Sequence, residues 1–84
     1  MTFLWEDGHP VTVQADGSGL PQQLVWLGRK HGVQRVTSQW RIDEGWWFRR
    51  VWRDYFKLTT DTGLLLTIFR DLQADEWYVQ RLYD

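Results

Sequence analysis

No cysteine occurs in these 84 residues, which excludes disulfides and leaves a chain near the lower size limit for folding on one apolar core without staples. Histidine, the commonest acid-base residue near neutral pH, appears only as His9 and His31. Both stand beside turns, far from Ser18 and Ser38 in the strand order derived below, so no catalytic triad is legible. Nothing has the ligand spacing of a zinc site. Asp43 and Glu44 are adjacent acids at what reads as a hairpin tip, where such a pair caps the turn and stays solvated. Gly17-Ser18-Gly19 lacks the strand-to-helix setting of a phosphate loop. Neither a metal nor another cofactor is expected, and the chain reads as non-catalytic. No stretch approaches the roughly 18 apolar residues of a membrane span. Met1-Thr2-Phe3-Leu4-Trp5-Glu6-Asp7 is too short and too acidic for a signal peptide. The expectation is a cytoplasmic protein with no membrane partner.

What is present in excess is aromatic. Phe, Trp and Tyr make up 17% of the chain and seven residues are Trp. Each buries roughly 150 to 250 Å², so a few of them fill a small interior, and the excess has a structural explanation before any functional one. The net charge of -1 argues against coating nucleic acid by bulk electrostatics. The charge is nevertheless segregated: residues 29–57 hold eight Lys or Arg against Asp43, Glu44 and Asp54, and both flanks are acidic. A solvated surface accounts for such segregation as readily as a binding face does.

Turn residues punctuate the chain at short intervals between β-branched and aromatic runs, the pattern of an all-β meander of about six antiparallel strands, as a strongly bent sheet or small barrel. Residues 1–8 form a tail or an extra edge strand, and 9–84 a single domain. The expected strands are His9–Gln14, Gln22–Leu27, Lys30–Ile42, Trp46–Thr60, Leu64–Arg70 and Trp77–Tyr83. Gly28-Arg29 fits a two-residue hairpin turn that sets Leu24 opposite Val33. The apolar parity slips after Val33, which calls for a β-bulge near Gln34-Arg35. Asp61-Thr62-Gly63 sets Leu58 opposite Leu66, Phe56 opposite Ile68 and Asp54 opposite Arg70.

Gln34 to Lys57 carries four tryptophans and most of the arginines, and reads as one long hairpin around Asp43-Glu44-Gly45. That turn pairs Ile42 with Trp46, Trp40 with Phe48, Val36 with Trp52, Arg41 with Trp47 and Arg35 with Arg53. Alternation then gives a core face of Val36, Trp40, Ile42, Phe48, Trp52, Phe56, Leu58, Leu66 and Ile68. The opposite face carries Arg35, Arg41, Trp47, Arg49, Arg53, Tyr55 and Lys57, a mixture suited to phosphate contacts and stacking on unpaired bases. Arg35 opposite Arg53 implies an anion or carboxylate between them, since like charges across strands repel. Equally, Arg41 can stack on Trp47 as a local cation-π pair. Asp54 and Arg70 form a structural ion pair that fixes register. Arg50, opposite Ser38, has no partner in this scheme.

Trp46-Trp47-Phe48-Arg49, Arg53-Asp54-Tyr55-Phe56-Lys57-Leu58, Phe69-Arg70-Asp71 and Trp77-Tyr78-Val79-Gln80-Arg81-Leu82-Tyr83-Asp84 together resemble a small bacterial domain of unknown function. That domain occurs free-standing, and a related version closes the C-terminal end of the Y-family DNA polymerase-like accessory protein of the bacterial mutasome. The likeness runs from about His9-Pro10-Val11 to the end. It implies an association with DNA-damage tolerance, in which the larger protein is a non-catalytic adaptor gathering a replicative-type polymerase and a sliding clamp, and it brings no binding residue with it.

Two functions fit these residues. The first is a non-catalytic module that contacts single-stranded nucleic acid through the basic-aromatic hairpin face. The second is a protein-protein adaptor in the repair machinery that uses the same face or an exposed edge strand, because Trp, Tyr and Arg also dominate protein interfaces. A chain this small and aromatic is also compatible with a homodimer.

Overall fold

The computed structural model describes residues 2–47 and 49–83, apart from the side chains of Trp46 and Arg49. Six strands follow one another: β1 (Phe3–Ala15), β2 (Pro21–Trp26), β3 (Arg29–Trp46), β4 (Arg49–Thr60), β5 (Leu65–Asp71) and β6 (Glu76–Tyr83). Each pairs antiparallel with the next, and β6 returns to β1, so the meander closes into a ring. The ring is uneven. Short β2 joins only Thr12–Ala15 of β1 to Arg29–Gly32 of β3, whereas Phe3–Val11 and Val33–Trp46 pair on the β6 and β4 sides. No helix among the described residues is long and apolar enough to cross a membrane.

The interior is filled by Leu24, Trp26, Phe56, Leu58, Leu66, Ile68 and Val79, with Trp5, Val11, Val36 and Trp77 packed against them. The β4–β5 register is the one the Asp61-Thr62-Gly63 turn predicts, with Leu58 opposite Leu66 and Phe56 opposite Ile68. The β2–β3 turn lies one residue earlier than expected, on Leu27 and Gly28, which both take positive φ (53° and 75°). Two positive values in succession define the type I′ turn that matches strand twist. Leu24 therefore faces His31 and not Val33. The slip is two residues, so side-chain parity survives and Leu24 and Trp26 still point inward.

The β4–β5 turn clasps the start of β3. Asp61 accepts the Gly32 N–H through its carboxylate (3.0 Å) and donates its own N–H to the Gly32 carbonyl (2.9 Å). Buried His31 hydrogen-bonds the Thr62 hydroxyl, which meets Thr60 in turn. Near the N-terminus, the Trp26 indole N–H donates to Nδ1 of His9 (3.1 Å), and Trp5 packs edge-on against Trp26. Both histidines thus serve packing.

Candidate nucleic-acid interface

The long hairpin turns later than its acidic tripeptide suggests. The last pair is Trp46 with Arg49, and the ladder runs back through Gly45–Arg50, Asp43–Trp52, Ile42–Arg53, Arg41–Asp54 and Trp40–Tyr55. Charge explains the choice. The expected register opposed Arg35 to Arg53; the observed one sets Arg35 against Thr59 and Arg53 against Ile42. It also lets Arg41 grip Asp54 with two hydrogen bonds (2.6 and 3.1 Å) and Arg50 grip Asp43 with two more (3.2 and 3.1 Å). Opposite charges facing across strands stabilise a sheet where like charges oppose it. Register shifts fall between Val33 and Arg35, where a bulge is expected, and again between Val36 and Ser38. The second bulge exchanges the two faces of β3 beyond Thr37.

Several residues consequently stand elsewhere than expected. Trp40 is not core: it is 40% exposed and stacks flat on Tyr55, with centroids 5.3 Å apart. Tyr55 is not a surface residue, being buried to 4% exposure. Ile42 and Trp52 are only half-buried, and Trp52 lies under the Arg50 guanidinium at 4.7 Å. Arg41 does not stack on Trp47. It turns to the opposite side with Asp54, whose hydrogen bond raises its pKa further. Asp54 and Arg70 are register partners, but the ion pair is divided, Asp54 going to Arg41 and Arg70 donating to Asp75 (2.7 Å). Val36 packs on the core, and Phe56, Leu58, Leu66 and Ile68 are buried in it. Trp47, beyond the last pair of the arm, is 93% exposed. Phe48 lies outside the described residues, as does the side chain of Arg49.

The outer face of β3–β6 carries a row of rings that follows the registers Trp40–Tyr55, Tyr55–Phe69 and Phe69–Tyr78. Successive centroids are 5.2 to 5.3 Å apart. Phe69 retains 1% exposure although it faces away from the main core. The Arg53 guanidinium covers it at 4.4 Å while donating to the Tyr55 hydroxyl (3.2 Å), and Gly8 closes against it from β1. A second, aromatic layer thus backs the sheet.

Beside this row the charges separate. Toward one end Lys57 Nζ and the Arg81 guanidinium stand 4.8 and 5.6 Å from the Tyr83 ring, and Arg35 is exposed on the neighbouring row of the sheet. Burial would raise the Tyr83 pKa, but the Thr67 hydrogen bond and the Arg81 and Lys57 cations outweigh it, so the phenol lies below its usual value. Among the described residues no carboxylate forms an ion pair with Arg35, Lys57 or Arg81. Toward the other end lie Asp71 and Glu76, and the hydrogen bond from Tyr78 to Glu76 raises that phenol's pKa. A groove of about 310 Å³ between Val11–Val13 and Asp75–Tyr78 is acidic and belongs to that end. No cluster of three metal-ligating side chains occurs among the described residues.

The face therefore retains Arg35, Arg53 and Lys57 of the expected set and adds Trp40, Arg81 and Tyr83. A sequence feature does mark Arg81: Trp77, Val79 and Leu82 are apolar at spacings of two and then three, and the odd step is the bulge at Gln80 that turns Arg81 outward.

Fold and face define an all-β domain with a cationic, aromatic sheet surface. No family model and no solved structure matches the chain. It is 31% identical over 77 residues to Protein ImuB of Caulobacter vibrioides, in strain NA1000 / CB15N and in strain ATCC 19089 / CIP 103742 / CB 15 alike. The match takes in 75% of this chain and 17% of each relative, so the chain spans about a sixth of their length.

Proposed function

We propose that this chain is a non-catalytic binding module that holds single-stranded nucleic acid on the outer face of β3–β6, in the service of DNA-damage tolerance. The observation that carries the proposal is the cluster Arg35, Lys57 and Arg81, which forms no ion pair among the described residues, beside the exposed ring of Trp40. Cations left without carboxylates suit phosphates, and an exposed aromatic suits an unpaired base. The similarity to ImuB, together with the resemblance to a mutasome accessory protein, supports the link to damage tolerance. The outward Trp47 at the end of the hairpin arm supplies a further ring.

The test is fluorescence anisotropy with a labelled single-stranded oligonucleotide across a salt series. Three phosphate contacts give a slope of log affinity against log salt of about -2, at roughly 0.7 per contact on a single strand. Lys57→Glu and Arg81→Glu are each expected to flatten that slope by roughly 0.7 or more. Trp40→Ala and Trp47→Ala are each expected to weaken binding by about 1 to 3 kcal/mol if that ring stacks on a base. Absence of binding at low salt sinks the proposal. A tight, salt-insensitive complex with a repair protein in its place would favour the adaptor function, since an aromatic protein interface responds weakly to salt.

A further inference from the structure

The aromatic row on the outer face is a stack with one open end. Trp40 and Tyr55 lie 5.3 Å apart with planes only 4° from parallel, too close to stand side by side, so each turns a face to the other. Tyr55 to Phe69 and Phe69 to Tyr78 continue the series across β5 to β6 at 5.2 Å each. A stacked base needs about 3.4 Å on either of its faces, which gaps of this size do not give. Intercalation within the row is excluded. Trp40 is the last ring because β3 beyond Val33 pairs only with β4, and its far face therefore looks away from the sheet. It is 40% exposed, and no second ring or cation packs on it among the described residues. One base can join this stack, at Trp40.

The charges run in the same direction. Lys57 and Arg81 share one row across the sheet, through Thr67, and Arg35 stands in the next, with Thr59, Leu65 and Tyr83. From β6 to β3, at about 4.8 Å per strand, the three cations cover roughly 14 Å. Asp71 and Glu76 lie on the opposite side of the ring row and repel a phosphate there. A nucleic-acid backbone on this face is thus confined to the cationic side and crosses the strands parallel to the rings.

We infer, resting on the function proposed above, that the site takes a short unpaired strand of about four nucleotides, the low end of what such folds hold, and anchors it by a single base. Its phosphates meet Arg81, Lys57 and Arg35 in that order, and the base at the β3 end caps Trp40 as a fifth ring. Lys57 stands one row from Trp40 and Arg35 two, which suits phosphates flanking that base. A base within a duplex has both faces covered, so an unpaired strand is selected. Trp47 lies beyond the last pair of the arm, roughly 20 Å along β3 from Trp40. It can contribute only to longer strands.

Anisotropy with labelled thymidine oligonucleotides, from the dinucleotide to the dodecanucleotide, measures the footprint. The salt slope is expected to steepen up to the tetranucleotide, whose phosphates match the three cations, and to stay at about -2 beyond it. The fluorescent base 2-aminopurine, placed at each position of a tetranucleotide in turn, is expected to be quenched on binding at one end alone. Trp40→Ala is expected to abolish that quenching and to weaken tetranucleotide binding about 5- to 150-fold, yet to keep the salt slope. Quenching at several positions of the wild-type complex, or a slope that keeps steepening to the dodecanucleotide, overturns the inference and leaves the proposed function standing. Failure of every length to bind at low salt sinks both.

Discussion

Phe69→Ala is expected to destabilise the fold by about 3 to 5 kcal/mol, as much as truncating Phe56 in the main interior. A domain of this size has a total stability of only about 4 to 13 kcal/mol, so either change approaches global unfolding. The two phenylalanines lie on opposite faces of the sheet: Phe56 pairs with Ile68 inside, whereas Phe69 pairs with Tyr55 and Tyr78 outside. If the outer face were an ordinary solvated one, removing Phe69 would cost little, within about half a kcal/mol. Its 1% exposure, the guanidinium at 4.4 Å and the rings on either side at 5.2 Å say otherwise. Chemical denaturation of the two alanine variants, side by side, measures the difference. Equal losses establish two load-sharing layers, and a near-neutral Phe69→Ala removes the second.

That second layer is what a reading by strict alternation missed, and the reasons are local. From Phe56 to Ile68 the register was legible because Asp61-Thr62-Gly63 is unambiguous turn chemistry flanked by uninterrupted alternation. At Gly28 the turn was misplaced by one residue, yet an even slip in register returns every side chain to its own face. Asp43-Glu44-Gly45 misled more seriously, because its composition suits a turn while its charges suit a ladder. Asp43 meets Arg50 across the arm, and Arg41 meets Asp54. The difference in register is odd, so Trp40 exchanged places with Arg41. The repulsion of Arg35 by Arg53 in the expected pairing was itself the symptom of a wrong register. Bulges at Thr37 and Gln80 are harder to find, because each adds one residue to a strand whose composition does not change. The three-residue step from Val79 to Leu82 betrays the one at Gln80, whereas no apolar step marks the one at Thr37, beyond which the inward positions are Gln39 and Arg41.

The same bulging explains how an 84-residue chain buries aromatic rings on two faces. Between Leu4, opposite Arg81, and His9, opposite Val79, four residues of β1 stand against the single Gln80 of β6. The excess lets Trp5 turn in against Trp26, while Gly8 lies over Tyr78 and Phe69. Arg53 contributes a cationic lid from the neighbouring strand. Its replacement by a carboxylate would strip cover from Phe69 as well as altering charge, so Lys57 and Arg81 probe the proposed binding face more cleanly.

Gly8→Ala is expected to be the most damaging single-methyl addition in the chain. Two costs coincide there. Gly8 has φ of +85°, a conformation that costs a residue with a Cβ about 1 to 2 kcal/mol. A Cβ at that position would also stand 2.5 Å from the Cβ of Tyr78 and 2.9 Å from Cζ of Phe69. The first contact is with an atom fixed to the backbone of β6, so rotating a side chain cannot relieve it, and overpacking of this kind adds about 1 to 3 kcal/mol. The sum, about 2 to 5 kcal/mol, is expected in chemical denaturation of Gly8→Ala. Gly17→Ala provides the control, because its Cβ would meet nothing within 4 Å and no positive φ constrains it. That variant should stay within about 0.5 kcal/mol of the parent. A Gly8→Ala protein as stable as the Gly17→Ala control would show that β1 does not press on the aromatic layer. The burial of Phe69 would then need another cover.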